Sequence, residues 1–433
     1  MNKKARVSIR KRNPRPKVNK SGSAAARNTS SRSRGPKIKK GSPNGVLDPA
    51  VRRSEFLVFG APQIQSPEIA AVLKVMETGW LGTGPRVAQF EEEFRKYKGA
   101  GFAVALNSCT AALHLSLLAS GVKPGDEVIT TPLTFCATVN AIIHAGAKPV
   151  LADVDPITLN IDPREIERRI TPRTRAILPV HFAGRACRMD AIMKLARKHN
   201  LIVIEDCAHA IETTFQGQPV GTFGDFGCFS FYVTKNVVTG EGGMVLTRRE
   251  PDAGQIKVLG LHGMSKDAWK RFSDEGYKHY QVVAPGFKYN MMDLAAAIGI
   301  EQLRRVEPNW RLRQKVWEAY NQAFSGLPIK TPAEPEPGNL HAFHLYTIQV
   351  NAKLAGITRD EFLTGMTKQN IGVGVHYQSI PEHPYYQQAL GWKPADYPHA
   401  MKIGQEIVSL PISAKLTAKD IDDVILAVKN LVG

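Results

Sequence analysis

The sequence predicts an α/β fold built on a mostly parallel sheet, and three observations carry that reading. From residue 102 onward, short apolar runs alternate with amphipathic stretches, as strands do when crossover helices join them. The polar residues with the richest chemistry stand where those apolar runs stop. A chain of 433 residues is also long enough for a large buried core and about two domains.

The chain opens on a basic tail. Residues 1–53 contain 17 Lys and Arg against a single acid, Asp48, and so hold +16 of the formal +18 net charge. The remaining 380 residues carry 40 basic and 38 acidic side chains and are close to neutral. The tail is rich in Arg, Lys, Ser, Gly and Pro and has no aromatic residue. It cannot bury enough apolar surface to offset the entropy of ordering, so disorder is expected. An electrostatic anchor to nucleic acid or anionic lipid and an organellar presequence are its functional options. It lacks the apolar face that a presequence or membrane helix needs, which favours an extension without a catalytic role. A nucleic-acid-binding or regulatory protein would place basic residues on its folded body too, and this body is near neutral.

No apolar segment near the N-terminus predicts secretion, and no run of 18 apolar residues predicts a membrane span. The five cysteines (Cys109, Cys136, Cys187, Cys207, Cys228) stand singly, without CxxC spacing. They read as reduced, mostly buried thiols in a cytoplasm, and no metal site is expected.

Residues 69–76 have a short helical pattern and lead into GWLGTGP (79–85), a glycine-dense loop suited to lying near a ligand or another chain. Residues 87–98 have the apolar spacing of an amphipathic helix. Strands are expected at 102–106, 127–131, 149–153, 176–181 and 201–206, with helices at 110–120, 137–145, 163–170 and 189–199 between them. Apolar runs at 226–232 and 244–247 add two more strands. Ligands of such sheets sit beyond the carboxyl ends of the strands.

Four features occur at those ends. Residues 230–243 read SFYVTKNVVTGEGG, which places Lys235 just past an apolar strand and before a turn of closely spaced glycines. Partial desolvation there disfavours the ammonium and lowers its pKa, so the amine can attack an aldehyde. The glycines at 240, 242 and 243 suit a tight turn or close approach to a ligand. Asp206 ends the apolar run LIVIED, where a carboxylate needs a strong partner, and His209 follows three residues later at the same mouth. Phe135 follows the second strand. The helix opening at Thr110 presents amides and a positive end that suit a phosphate, although Asn107 or Ser108 could simply cap it. Pyridoxal phosphate accounts for all four, because it needs a lysine, a carboxylate for its ring nitrogen, a ring to stack on and phosphate donors.

The sequence resembles the DegT/StrS family of pyridoxal-phosphate-dependent sugar aminotransferases from about Trp80 to the C-terminus. The resemblance rests on GWLGTGP, NSCTAALHLSLLASGVKPGDEVITTPLTFCATVNAI, PVHFAGRACRMDAI, VIEDCAHA, FSFYVTKNVVTGEGG, GFKYNMMDLAAAIGIEQL and VHYQSIPEHPYY. It implies an aspartate-aminotransferase-type (fold type I) large domain, a smaller C-terminal α/β domain, and a homodimer with active sites at its interface. Lys235 resembles the lysine that joins the cofactor aldehyde, and Asp206 the partner of the pyridine nitrogen. Phe135 resembles the stacking aromatic, while Thr110, Ala111 and Ser230 match phosphate-contacting positions. His209 matches a residue beside the cofactor's phenolic oxygen, and Asn290 an asparagine that reaches the phosphate from the partner subunit. CTAA replaces the commoner GTAA, and Tyr232 stands where several members carry His, which bears on substrate pose.

The implied reaction is transamination of a nucleotide-linked ketosugar with L-glutamate as the expected amino donor. Sugar dehydratases of the same family are the enzymatic alternative, but they carry His in place of the lysine. Domain boundaries are expected at 1–53 for the tail, 54–305 for the cofactor-binding domain and 306–433 for the small domain. A helix is expected over 292–306 as a dimer or interdomain contact. TPAEPEPG (331–338) reads as a linker dividing the small domain. KDAWKR (266–271) and residues 278–285 read as loops near the substrate entrance. His376, His383 and three tyrosines within 373–386 read as a polar loop, their spacing unlike that of a zinc site.

Overall fold

The computed structural model describes residues 53–265 and 279–433. The basic tail up to residue 52, KDAWKR and Lys278 lie outside the described residues. Arg53, counted with the tail on charge alone, belongs to the folded body. Its guanidinium pairs with Asp420 at 2.8 Å and Asp423 at 2.5 Å.

Two helices precede the sheet, α1 (Ser66–Thr78) and α2 (Pro85–Lys98). Strand β1 (Phe102–Leu106) then starts a regular alternation through α3 (Cys109–Ala119), β2 (Glu127–Thr130), α4 (Cys136–His144) and β3 (Lys148–Leu151). It continues through α5 (Pro163–Arg169), β4 (Thr174–Leu178), α6 (Met189–His199) and β5 (Ile202–Asp206). A small hairpin, β6 (Thr214–Phe215) and β7 (Gln218–Pro219), precedes β8 (Phe226–Ser230), β9 (Gly243–Thr247) and α7 (Glu250–Gly260).

The seven long strands form one sheet in the order β1-β9-β8-β5-β4-β2-β3. Strands β2, β3, β4, β5 and β8 pair in parallel, and β9 runs antiparallel to both β8 and β1. The reversal has a local cause. The turn from β8 to β9 contains no helix, so the chain comes back beside the strand it has just left.

The sheet is covered on both faces, as its continuous apolar strands require. In β5, Val203 packs beneath α6 with Ile192 and Leu195, while Ile204 faces the other way among Leu113, Val128 and Phe226. Phe90 and Phe94 of α2 pack on Phe229 and Phe231. Each such fully buried apolar side chain stabilises the fold by about 1.5–3 kcal/mol.

The helix expected over 292–306 is present and ends at a break one residue short of its expected limit. Residue Asp293 begins α8 (Asp293–Arg304), and α9 (Val306–Phe324) follows a break at Arg305. Asp293 also accepts hydrogen bonds from the amides of Gly84, Arg86 and Val87, which fastens GWLGTGP to the start of α8. The C-terminal part pairs β10 (Tyr346–Gln349) with β11 (Ile407–Leu410). Around them lie α10 (Ala352–Ala355), α11 (Arg359–Lys368), α12 (Pro384–Leu390), α13 (Pro398–Glu406) and α14 (Ala418–Val432). Leu57, near the start of the described chain, bridges to Ile371 and packs against this part's core.

The two parts are tied by buried polar contacts. Asp153, beyond β3, accepts from the amides of His399 and Ala400 and so caps α13. TPAEPEPG is clamped by Arg185, which donates to the Glu336 side chain and to the carbonyls of Ala333 and Glu334. Among the described residues, no helix is long and apolar enough to cross a membrane.

Candidate active site

A cavity of about 530 Å³ opens beyond the carboxyl ends of the parallel strands. Five expected residues line it: Thr110, Phe135, Asp206, His209 and Lys235, together with Ser230 from the family resemblance. The six arrive from four turns of the sheet, with Asp206 and His209 sharing the one after β5 and Ser230 and Lys235 the one after β8. Thr110 opens α3, Phe135 caps α4, Asp206 ends β5, and Ser230 ends β8.

Lys235 sits in the β8–β9 turn, where its amide donates to the Tyr232 carbonyl at 2.9 Å. Gly240 closes the turn with φ +85, a conformation that L side chains rarely adopt. At Gly243 the close approach is between two stretches of backbone. A Cβ there would come within 2.4 Å of the Ser108 backbone, so its absence lets β9 lie against the start of α3. Burial pushes the Lys235 amine down to about 8, against the opposing pull of the Asp206 charge. About a tenth of it is then uncharged at pH 7, far more than for an ordinary lysine.

Asp206 is only 4% exposed. Thr138 Oγ1 donates to its Oδ2 at 2.9 Å, and the Ala208 amide donates to Oδ1 at 3.1 Å. Burial outweighs both and raises the carboxyl's pKa above the ordinary range. No ion pair compensates this carboxylate among the described residues, so the cavity offers a place for a cationic N–H.

At the other end, Ser108 Oγ accepts the Ala111 amide and caps α3. Ala111 is buried, its amide taken by Ser108, and it is not part of the cavity lining. The free first-turn amides belong to Cys109 and Thr110. Burial also raises the Cys109 thiol well above its usual range.

His209 lines the cavity with both ring nitrogens already engaged. Its Nδ1 accepts from the Ala183 amide at 3.3 Å, and its Nε2 is 3.0 Å from the Tyr377 hydroxyl. Burial, with the Lys235 and neighbouring His charges, holds the imidazole far below its ordinary pKa and therefore neutral. Its ring also lies 4.8 Å from that of His344, whose Nδ1 meets Asn236 Oδ1 at 3.1 Å. Asn236 in turn donates to Glu212, which holds the buried guanidinium of Arg313 in α9. His376, from the loop read as merely polar, lines the same cavity and hydrogen-bonds Ser409 Oγ at 2.8 Å.

Asn290 does not line the cavity of its own chain. Its Nδ2 donates to Thr83 Oγ1 at 2.6 Å, and its buried Oδ1 has no hydrogen-bond partner among the described residues. Sequence reasoning missed Thr138, Tyr377 and His344. For Thr138 a signal existed, since it follows Phe135 by three residues at a helix start.

A buried cluster of His181, Glu205 and Cys207 has metal-like spacing, but the His181 and Glu205 side chains are already committed. His181 Nδ1 accepts the Cys187 amide and Nε2 donates to Glu205 at 3.0 Å. Glu205 also accepts from the amides of Gly221, Phe223 and Gly224. The cluster organises the loop before β8.

A sheet of this topology, with a desolvated lysine and an uncompensated carboxylate on one cavity beside a helix start, defines a fold type I pyridoxal-phosphate enzyme. Comparison with known proteins agrees. The DegT/DnrJ/EryC1/StrS aminotransferase family model matches residues 62–429, and the chain belongs to that family. It is 50% identical over 383 residues to the spore coat polysaccharide biosynthesis protein SpsC of Bacillus subtilis, covering 88% of this chain and 98% of that one. Among solved structures it resembles the PMP-form of a putative sugar aminotransferase, Spr1654, from Streptococcus pneumoniae. That likeness has a TM-score of 0.81 at 31% identity, over 87% of this chain and 98% of that one. DesI in the presence of its TDP-sugar product matches with TM-score 0.78 at 29% identity, over 88% and 94%. The protein is a pyridoxal-phosphate-dependent aminotransferase.

Proposed function

We propose that this enzyme transfers an amino group from L-glutamate to a nucleotide-linked ketosugar, with Lys235 as its central residue. The observation that carries the reading is the placement of Lys235 and Asp206 on one cavity. The sugar class is supported by the TDP-sugar product of DesI and by SpsC's part in polysaccharide biosynthesis.

Bound pyridoxal phosphate supplies an aldehyde for covalent attachment and a ring that accepts the electron pair left by a departing proton. The residues of the chain do the rest. Lys235 Nζ, partly uncharged near neutral pH, is the nucleophile toward the aldehyde and the base for the α-carbon proton of the amino donor. Asp206 would keep the proton on the ring nitrogen, Phe135 would cover the ring, and His209 would stand near its phenolic oxygen. Thr110 and Ser230, with the amides at the start of α3, would hold the phosphate. Ala111 contributes to that end through the Ser108 cap.

Asn290 is proposed to serve the site of a partner subunit in a homodimer. An exposed apolar stripe supports a second copy there: Ile69, Leu73 and Met76 of α1 continue into Trp80 and Leu81, and Thr83 of the same loop holds Asn290. Residues 54–305 and 306–433 remain our division into large and small domains, with residues near Leu57 packing on the latter. Five free cysteines fit a reducing cytoplasm. A lysine at 235 argues against the family's dehydratases.

The test is to incubate the purified holoenzyme with glutamate and a panel of nucleotide-linked 4-keto and 3-keto sugars. Formation of an amino sugar together with 2-oxoglutarate is expected. Amination of none of them, with turnover of ordinary keto acids instead, would overturn the sugar assignment.

A further inference from the structure

Tyr377 is the polar group of the cavity whose orientation can be worked out proton by proton. The reasoning starts at Ala183, which has φ 54 within a short 3-10 turn and directs its amide at His209 Nδ1, 3.3 Å away. A proton on that nitrogen would face another donor, so Nδ1 carries a lone pair. Burial and the surrounding positive charges keep His209 neutral, and a neutral imidazole carries one N–H. That N–H is on Nε2 and donates to the Tyr377 hydroxyl oxygen at 3.0 Å. The oxygen's acceptor role toward His209 is thereby assigned, and the phenol's own proton must point elsewhere. It has no acceptor among the described residues. Burial raises the phenol's pKa far above neutrality, so the proton stays on the oxygen.

The side chain occupies a junction. Tyr377 lines the cavity that contains Lys235 and also an adjoining one of about 760 Å³, sharing Thr134 and Phe135 between them. Its ring packs against Phe135 at 5.9 Å and lies nearly parallel to His209. A ligand large enough to extend from Lys235 into the second cavity would pass this hydroxyl.

We propose that Tyr377 donates a hydrogen bond to an oxygen of the keto substrate as it passes between the two cavities, with His209 as the positioning residue that aims the donor. The assignment rests on the sugar-transaminase reading above. It makes Tyr377 a specificity-determining residue for oxygen-bearing substrates, since a phenol aimed this way would be left unpaired by a deoxygenated analogue.

Two measurements test it. Nitrogen-15 NMR of histidine-labelled holoenzyme, with His209 assigned by loss of its signals in His209→Gln, should show Nδ1 unprotonated and Nε2 protonated at neutral pH. A proton on Nδ1 would mean that Tyr377 spends its own proton on His209, and the assignment would fall. Equilibrium binding should then compare wild type and Tyr377→Phe, using thymidine-diphosphate 4-keto-6-deoxyglucose and thymidine diphosphate. The variant is expected to bind the keto sugar about tenfold more weakly, the size of one lost neutral hydrogen bond, with the bare nucleotide unaffected. Equal losses for both ligands, or none for either, would also overturn it. Wild-type protein that binds neither ligand overturns the function reading, whereas a protonated Nδ1 overturns only the role of Tyr377.

Discussion

The hydroxyl of Thr138, in the first turn of α4, donates a 2.9 Å hydrogen bond to Oδ2 of Asp206 at the end of β5. This contact favours the ionised carboxylate against the cost of its burial. Thr138→Val keeps the shape and removes the donor, so the Asp206 pKa rises further. If Asp206 holds the cofactor's ring proton, turnover should fall about tenfold. The acid limb of the pH–rate profile should move to higher pH. An unchanged profile would show that the hydroxyl does not tune this carboxylate.

Lys235→Ala should fold normally and lose turnover. Borohydride treatment should fix the cofactor to wild-type protein on the peptide that contains Lys235 and fix none to the variant. Wild-type turnover in Lys235→Ala would remove the central assignment.

Lys98 gives a stability prediction away from the cavity. The side chain is 2% exposed, donates to the Ile211 carbonyl at 2.7 Å and lies over the Phe229 ring. Burial lowers its pKa to about 8 from an ordinary 10.5. Between those values the unfolded chain binds more protons than the folded one, so stability rises with pH. The unfolding free energy of wild type from urea titrations should therefore climb from pH 8 to 10 relative to Lys98→Met, by at most about 1.4 kcal/mol per pH unit. Parallel curves would mean that burial does not suppress the charge.

Deleting residues 1–52 should leave turnover of soluble substrates within about twofold and weaken salt-sensitive binding to polyanions. Deleting residue 53 as well removes the guanidinium paired with Asp420 and Asp423. That single further residue should cost up to about 1 kcal/mol of stability. Both truncations are compared by turnover at low and near-physiological salt and by urea denaturation. Loss of most turnover on removing 1–52 at both salts would show that the tail contributes to the site.

The sheet and the chemical pair were legible because their signals are local. An apolar run such as LIVIED has to be buried, and a charge at its end has to sit at the strand's mouth, so Asp206 and Lys235 could be placed without knowing any contact. Strand limits came within a few residues for the same reason, although Phe231 and Tyr232 lie beyond β8. The break at Arg305 carried no such signal, since no Gly or Pro stands between Gly299 and Pro308.

The remaining site residues depend on approach between distant segments. Thr138 meets Asp206 across 68 residues, and Tyr377 meets His209 across 168. Ser, Thr, Tyr and His side chains can be solvated, capping or catalytic with equal local plausibility, so their partners decide their roles. Periodicity and the position of charge along the chain specify which residues reach the ends of the strands. Which hydroxyl then faces which carboxylate follows only from packing α4 against the end of β5, and which imidazole nitrogen bears a proton from packing Tyr377 of the C-terminal part against His209, because hydrogen bonds form between neighbours in space.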